Sequence, residues 1–187
     1  LLSGRIPFKL IRTYSSLSPD TGLLGVGWKL NLGTWLRVTK EGLELFADGV
    51  AVTTLPVPTL GQGPLAAGTF TIERTRSELV ITDPQLNRYT FRLARETLPQ
   101  RLPCNSFHDY FGNSLTYEYE QDRLVTLTDS YQRRIGFSYD QVSRITAVWL
   151  HPTRSRPRRH EFVRYEYDDH DDLVSVVDAM GNATKYH

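Results

Sequence analysis

Several groups of residues in this chain are of types that could do chemistry. Cys104 and His108 pair a thiol with an imidazole four residues apart, the makings of a nucleophile and its base. On a strand that spacing separates them by about 13 Å along the chain, too far for proton transfer. No second motif supports catalysis, so the chain is read as non-enzymatic. Asp168-Asp169-His170-Asp171-Asp172 gathers carboxylates that would suit a divalent cation. It lacks the alternating ligands and mid-loop glycine of a calcium loop, and it reads better as turn chemistry. No metal or cofactor is assigned. Arg154, Arg156, Arg158, Arg159 and Arg164 could take phosphate or an acidic partner. Two prolines among them and the near-neutral chain favour a solvated loop. The tyrosines could form a platform for sugar stacking, although aromatic stripes at strand spacing usually pack. Asp109 to Asn113 and Asp178 to Asn182 share the pattern Asp-x-x-Gly-Asn and explain themselves as turns.

Composition narrows the function classes. The 187 residues carry 22 basic and 21 acidic side chains, a net charge of +1, which argues against a dedicated nucleic-acid binder. One cysteine makes no internal disulfide. No apolar run approaches the roughly 20 residues that span a bilayer. Leu1-Leu2-Ser3-Gly4-Arg5 lacks the basic start and apolar core of a signal peptide, so any export is expected to use another signal or route. Ten tyrosines, eight phenylalanines and three tryptophans favour strands.

The elements that position these residues read as all-β. Residues 6–14 alternate partly and predict a strand, followed by a turn over residues 18–22. Gly25-Val26-Gly27-Trp28 predicts a tight corner closed by the indole. Residues 35–38 and 43–46 predict a hairpin, and Ala47-Asp48-Gly49-Val50 a two-residue turn. Prolines and glycines mark residues 56–68 as a loop. Strands follow near 69–75, 78–82 and 88–94, with Asp83-Pro84 starting a turn. Pro99 and Pro103 bracket a less regular connection.

From Asp109 onward the chain repeats: a turn, Tyr-x-Tyr, a polar turn, then a short aliphatic strand. The copies are Asp109, Gly112, Asn113, Tyr117, Tyr119 with Arg123-Leu124; Asp129, Phe137, Tyr139, Asp140 with Arg144-Ile145; and Tyr165, Tyr167, Asp168 with Asp172-Leu173. A fourth copy opens at Asp178, Gly181 and Asn182 and reaches Tyr186. Period-two spacing puts Leu115, Tyr117 and Tyr119 on one face, and likewise Ile135, Phe137 and Tyr139, and Val163, Tyr165 and Tyr167. Burial is expected for Tyr117, Tyr139 and Tyr165 or Tyr167. The aliphatic strands are apolar on both faces, which predicts partial cover on both sides. A repeat of this kind must stack on its neighbours. Ser143 and Asp171 stand where a glycine would be usual, and Tyr119 to Leu124 is one residue shorter than its counterparts, so the turns are expected to be of mixed type.

These copies resemble the tyrosine-aspartate repeats of Rhs proteins. Ile6 to Ser16, with Arg12 and Tyr14, and Gly25, Gly27 and Trp28 resemble the segment that precedes the repeats in bacterial Rhs toxins. The resemblance implies a lead-in β region over residues 1–100 and a repeat sheet over 101–187. It implies an antiparallel hairpin-repeat sheet, curved and open, forming part of the wall of a hollow Rhs shell. It further implies as partners the other repeats, an enclosed C-terminal toxin domain, and components of a secretion apparatus such as type VI, with secretion of the whole. Sheet edges rich in β-formers predict edge-to-edge self-association. The alternative is a surface carbohydrate-binding or adhesive module that uses the tyrosine-rich face.

Overall fold

The computed structural model describes residues 6, 9–19, 21–47, 50–93 and 100–186. The described residues form strands and turns and contain no helix. The early strands are β1 (Arg12–Tyr14), β2 (Thr21–Gly22), β3 (Gly25–Val26), β4 (Trp28–Leu30), β5 (Trp35–Val38), β6 (Leu43–Ala47) and β7 (Val50–Leu55). The middle strands are β8 (Leu65–Ala67), β9 (Phe70–Arg74), β10 (Glu78–Thr82), β11 (Arg88–Arg92), β12 (Gln100–His108) and β13 (Ser114–Glu120). The last are β14 (Arg123–Asp129), β15 (Arg134–Tyr139), β16 (Ile145–Leu150), β17 (His160–Tyr167), β18 (Leu173–Asp178) and β19 (Ala183–Lys185). Every pairing is antiparallel, and the sheets are open rather than closed into barrels. The chain divides into two compact units, residues 31–117 and residues 9–30 with 118–187.

In the first unit, β7, β6 and β5 form a meander that joins the first half of β12. The second half of β12 pairs with β11, which continues through β10, β9 and β8. One long strand thus serves two sheets, and a single core fills the space they enclose. Leu36, Val38, Leu43, Leu45, Leu55, Ile72, Leu79, Ile81, Phe91, Leu102 and Cys104 make that core. Each strand contributes every second residue, as the pleat requires. Each fully buried aliphatic or aromatic side chain stabilises by roughly 1.5–3 kcal/mol. The β5–β6 turn is held by Thr39, whose Oγ1 accepts from the backbone N–H of Glu41 and Gly42.

Three local readings are corrected. The predicted loop 56–68 contains strand β8, which pairs Leu65 with Ile72 and so reaches the core. The predicted irregular connection around Pro103 is the interior of β12. Proline is tolerated there because β12 changes neighbour at that point: Pro103 is its last residue opposite β5, and Cys104 its first opposite β11. The strand expected over 6–14 is confined to Arg12–Tyr14, with residues 7 and 8 outside the described set. Asp48, Gly49 and Pro99 also lie outside it, although the pairing of Ala47 with Val50 agrees with a two-residue turn.

The second unit contains a six-strand meander, β14 through β19, each strand paired with the next. Its alternation follows the sequence reading. Ile135, Phe137 and Tyr165 are buried, and Tyr139 and Tyr167 are half-buried on the same stripe. In strand β13, Leu115 is buried and Tyr117 and Tyr119 are half-buried, while Thr116, Glu118 and Glu120 are exposed. The aliphatic strands β14, β16 and β18 are at least partly covered on both faces, as expected, with only Asp178 at the end of β18 exposed. The hairpins β15–β16 and β17–β18 carry a β-bulge at the same repeat position, beside Tyr139 and beside Tyr167. A bulge increases local twist, so this recurrence coils the sheet in step with the repeat.

Candidate functional site

The Asp-x-x-x turns form one recurring device. At Asp83, Asp109, Asp129, Asp140, Asp168 and Asp178, one carboxylate oxygen accepts the backbone N–H four residues on, at 2.8–3.0 Å. The fourth residue of each turn has a positive φ: Leu86, Gly112, Gln132, Ser143, Asp171 and Gly181. A type I turn followed by such a residue is a three-residue hairpin loop. The second carboxylate oxygen binds the side chain of the fifth residue at 2.7–2.9 Å, Asn87, Asn113, Arg133, Arg144 or Asn182. Asp172 fills that place at Asp168 and cannot donate as a carboxylate. The shorter turn after Tyr119 differs: Gln121 and Asp122 both have positive φ, the two-residue form. Turn types are therefore mixed, through loop length. Glycine is not required at Ser143 or Asp171 because the carboxylate holds the loop around them.

Arginine and tyrosine then tie one repeat to the next. Tyr139 donates its hydroxyl to the carbonyl of Leu124 at 2.8 Å, and Tyr167 to the carbonyl of Ile145 at 2.6 Å. Leu124 and Ile145 hold the same place in successive copies. The arginine before each covers the same tyrosine: Arg123 lies 5.6 Å from the Tyr139 ring centroid and Arg144 lies 4.2 Å from that of Tyr167. Arg144 also binds Asp140 at 2.7 Å and Asp171 at 2.8 Å, which couples two turns. Burial pushes the Tyr139 phenol up to about 12, against the opposing pull of Arg123. Burial also raises Tyr167. Both hydroxyls therefore stay protonated donors. Burial alone would raise the Asp140 carboxyl, but hydrogen bonds and charge from Arg144 hold it below its usual range.

The N-terminal segment sits on this repeat sheet. β1 pairs with β4, opposing Tyr14 to Trp28, with their rings 5.0 Å apart. The Trp28 indole is buried and meets the Tyr186 ring edge-on at 5.1 Å. Arg12 lies 5.9 Å from the buried Tyr165 ring. Burial raises the Tyr165 phenol, with Arg12 pulling the other way by charge and hydrogen bond. Leu24 is fully buried, and the Leu23 carbonyl accepts the Ile145 N–H at 2.8 Å. Gly25, at φ 94°, lies so close that a Cβ would stand 2.6 Å from the Asp171 carbonyl oxygen. Gly27, at φ 73°, packs its backbone against Ser15 and the Tyr14 ring. Arg12, Tyr14, Gly25, Gly27 and Trp28 are thus brought together with Tyr165, Asp171 and Tyr186.

The other candidates are placed as follows. Cys104 is buried, its thiol 3.1 Å from the Ser106 carbonyl, and burial pushes its pKa up to about 12. His108 is exposed. Asp168 accepts the N–H groups of His170 and Asp172, and Asp171 is engaged by Arg144. Among the described residues, no group of three or more His, Cys, Asp or Glu side chains is placed to hold a metal. Residues 152–160 are exposed, but Arg159 lies 5.1 Å from the Trp149 ring centroid, and Arg164 pairs with Glu161. The residues that sequence reasoning left unassigned are Arg123, Arg144 and Leu24; it placed Asp83 at the start of a turn without its carboxylate bond to Asn87. Recurrence of arginine before the aliphatic strand, in two copies, was the available signal for the first two.

In comparison with known families, residues 1–54 match a family described as Domain of unknown function (DUF6531). No curated protein matches the chain.

Proposed function

We propose that this chain is a structural wall segment of an Rhs toxin-encapsulating shell, made as part of a polypeptide that is secreted between bacteria. The observation that carries the reading is the repeat-to-repeat tie: Tyr139 to Leu124 under Arg123, and Tyr167 to Ile145 under Arg144. A tie that spans successive copies propagates indefinitely along a strand path, which is what a wall requires and a single binding site does not. The docked N-terminal segment supports the reading further, because it covers part of the repeat sheet with a preorganised aromatic clasp. The tyrosines are engaged by arginines and carbonyls, which weighs against the carbohydrate-binding alternative. The partners proposed are further repeats, an enclosed C-terminal toxin domain and secretion-apparatus components such as those of type VI.

The test is electron cryo-microscopy and limited proteolysis of the full native gene product. The expected result is a hollow β shell with these residues in its wall and a protease-resistant domain inside. A compact solitary β module, with glycans bound on the tyrosine stripe, would overturn it.

A further inference from the structure

The loop between β16 and β17 has a feature that neither packing nor wall-building uses. We propose that the bond between Arg159 and His160 is a processing site for a subtilisin-fold endoprotease specific for paired basic residues. Such enzymes bind an extended segment and place arginines at the first, second and fourth positions before the cut in acidic subsites. Arg159, Arg158 and Arg156 occupy those three positions. Pro157 fills the third and favours extended backbone in the residue before it.

The setting suits attack. Residues 152–160 are all exposed, and hydrogen bonds within residues 153–156 are local to the loop. No side-chain partner engages the guanidinium groups of Arg154, Arg156 or Arg158 among the described residues. Among the described residues, the Arg159 side chain is held only by its stacking over Trp149 and a 3.7 Å contact with Glu161. Beyond the loop, the ladder is weak. A register shift between Val148 and Trp149 leaves only Trp149 with Glu161, and Leu150 with His160, paired on the loop side of the bulge. Opening those two pairs frees residues 152–161, while Trp149 and Leu150 stay paired with β15 and the His151 N–H stays on the Arg134 carbonyl, and local opening of this kind sets protease access. A second Arg-Arg pair, Arg133-Arg134, provides an internal contrast. Tyr131 stands where the fourth-position arginine would be, Asp129 binds Arg133, and Arg134 lies in β15.

The reaction is hydrolysis. Water adds to the Arg159 carbonyl carbon, the C–N bond to His160 breaks, and the products are a carboxylate at Arg159 and an ammonium at His160. Because β16 and β17 remain paired at Ala147 with Arg164 and at Val148 with Val163, the two pieces stay together after the cut.

The experiment incubates the whole chain with a calcium-dependent, paired-basic-specific protease of that class, and in parallel with trypsin. A peptide of residues 152–162 serves as the accessible control. Mass spectrometry should find one early cut, after Arg159, with both pieces co-eluting under native conditions. Arg156→Ala should slow that cut by about tenfold or more, the usual consequence of losing one charge-assisted contact, while trypsin still opens the loop. Failure of the protease to cut the peptide, survival of the intact chain while the peptide is consumed, a first cut elsewhere, or an unchanged rate for Arg156→Ala would each overturn the proposal.

Discussion

At the scale of single residues, the stability of the repeat sheet rests on a small set of side chains that bridge copies. The pair formed by Arg144 and Tyr167 is the best placed, with the guanidinium over the ring, the hydroxyl on the Ile145 carbonyl, and Asp140 and Asp171 on the guanidinium. Tyr167→Phe should cost about 1 kcal/mol, the net worth of one intramolecular hydrogen bond. A double-mutant cycle of Tyr167→Leu, which removes the ring, with Arg144→Ala should return a coupling of about 0.5–2 kcal/mol, read from denaturant midpoints. Additive single effects would mean that the contact carries no energy. The turn aspartates make a second, pH-dependent contribution. Asp168 is held below its ordinary range by the Asp172 N–H, and Asp178 by the Asn182 side chain. Asp140 is also held down, net of burial. Depressed folded-state values give stability that is fully present above the unfolded value of about 3.9 and is lost as pH falls through the folded values. Denaturant midpoints should be flat near neutrality and fall steeply below pH 4. Asp140→Asn should reduce that slope; an unchanged slope would contradict the role given to its charge.

At the scale of elements, the N-terminal segment and the repeat hairpins are mutually dependent. Gly25→Ala adds a Cβ 2.6 Å from a backbone oxygen at a positive φ. The strain and the displacement together should cost roughly 2–4 kcal/mol. Exchange of the Ile145 amide, which donates to Leu23, should quicken first. Exchange at Ile145 equal to that of the parent would show that the segment is not clasped there. This interaction was not legible in the sequence. Leu23 and Ile145 are far apart in the chain, and nothing local to Gly25-Val26-Gly27-Trp28 announces Asp171 as a neighbour. What could be read was local: the glycines and the indole predicted a tight corner, and a corner is present. The strand faces were legible for the same reason, since the pleat forces Leu115, Tyr117 and Tyr119 to one side whatever surrounds them. Strand β12 was hidden because proline reads as a break unless the change of neighbour at Pro103 is known. The shared turn geometry was half visible. Gly112 and Gly181 mark their turns, but Leu86 and Gln132 occupy the same left-handed position without any propensity for it.

At the scale of the molecule, the described strands form open antiparallel sheets, and open sheets have edges. Strand β19 has β18 as its one strand partner among the described residues, and its residues are exposed. An edge of this kind is a template for another strand. In the proposed wall that place belongs to the next repeat strand, and the tie seen at Tyr139 and Tyr167 repeats beyond it. The most direct test compares amide hydrogen exchange of residues 183–185 in this chain with that in a chain extended by its native following residues. The expected result is a marked rise in protection across Ala183–Lys185 on extension, with β14 through β17 unchanged. Identical exchange of those amides in the two chains would contradict the wall.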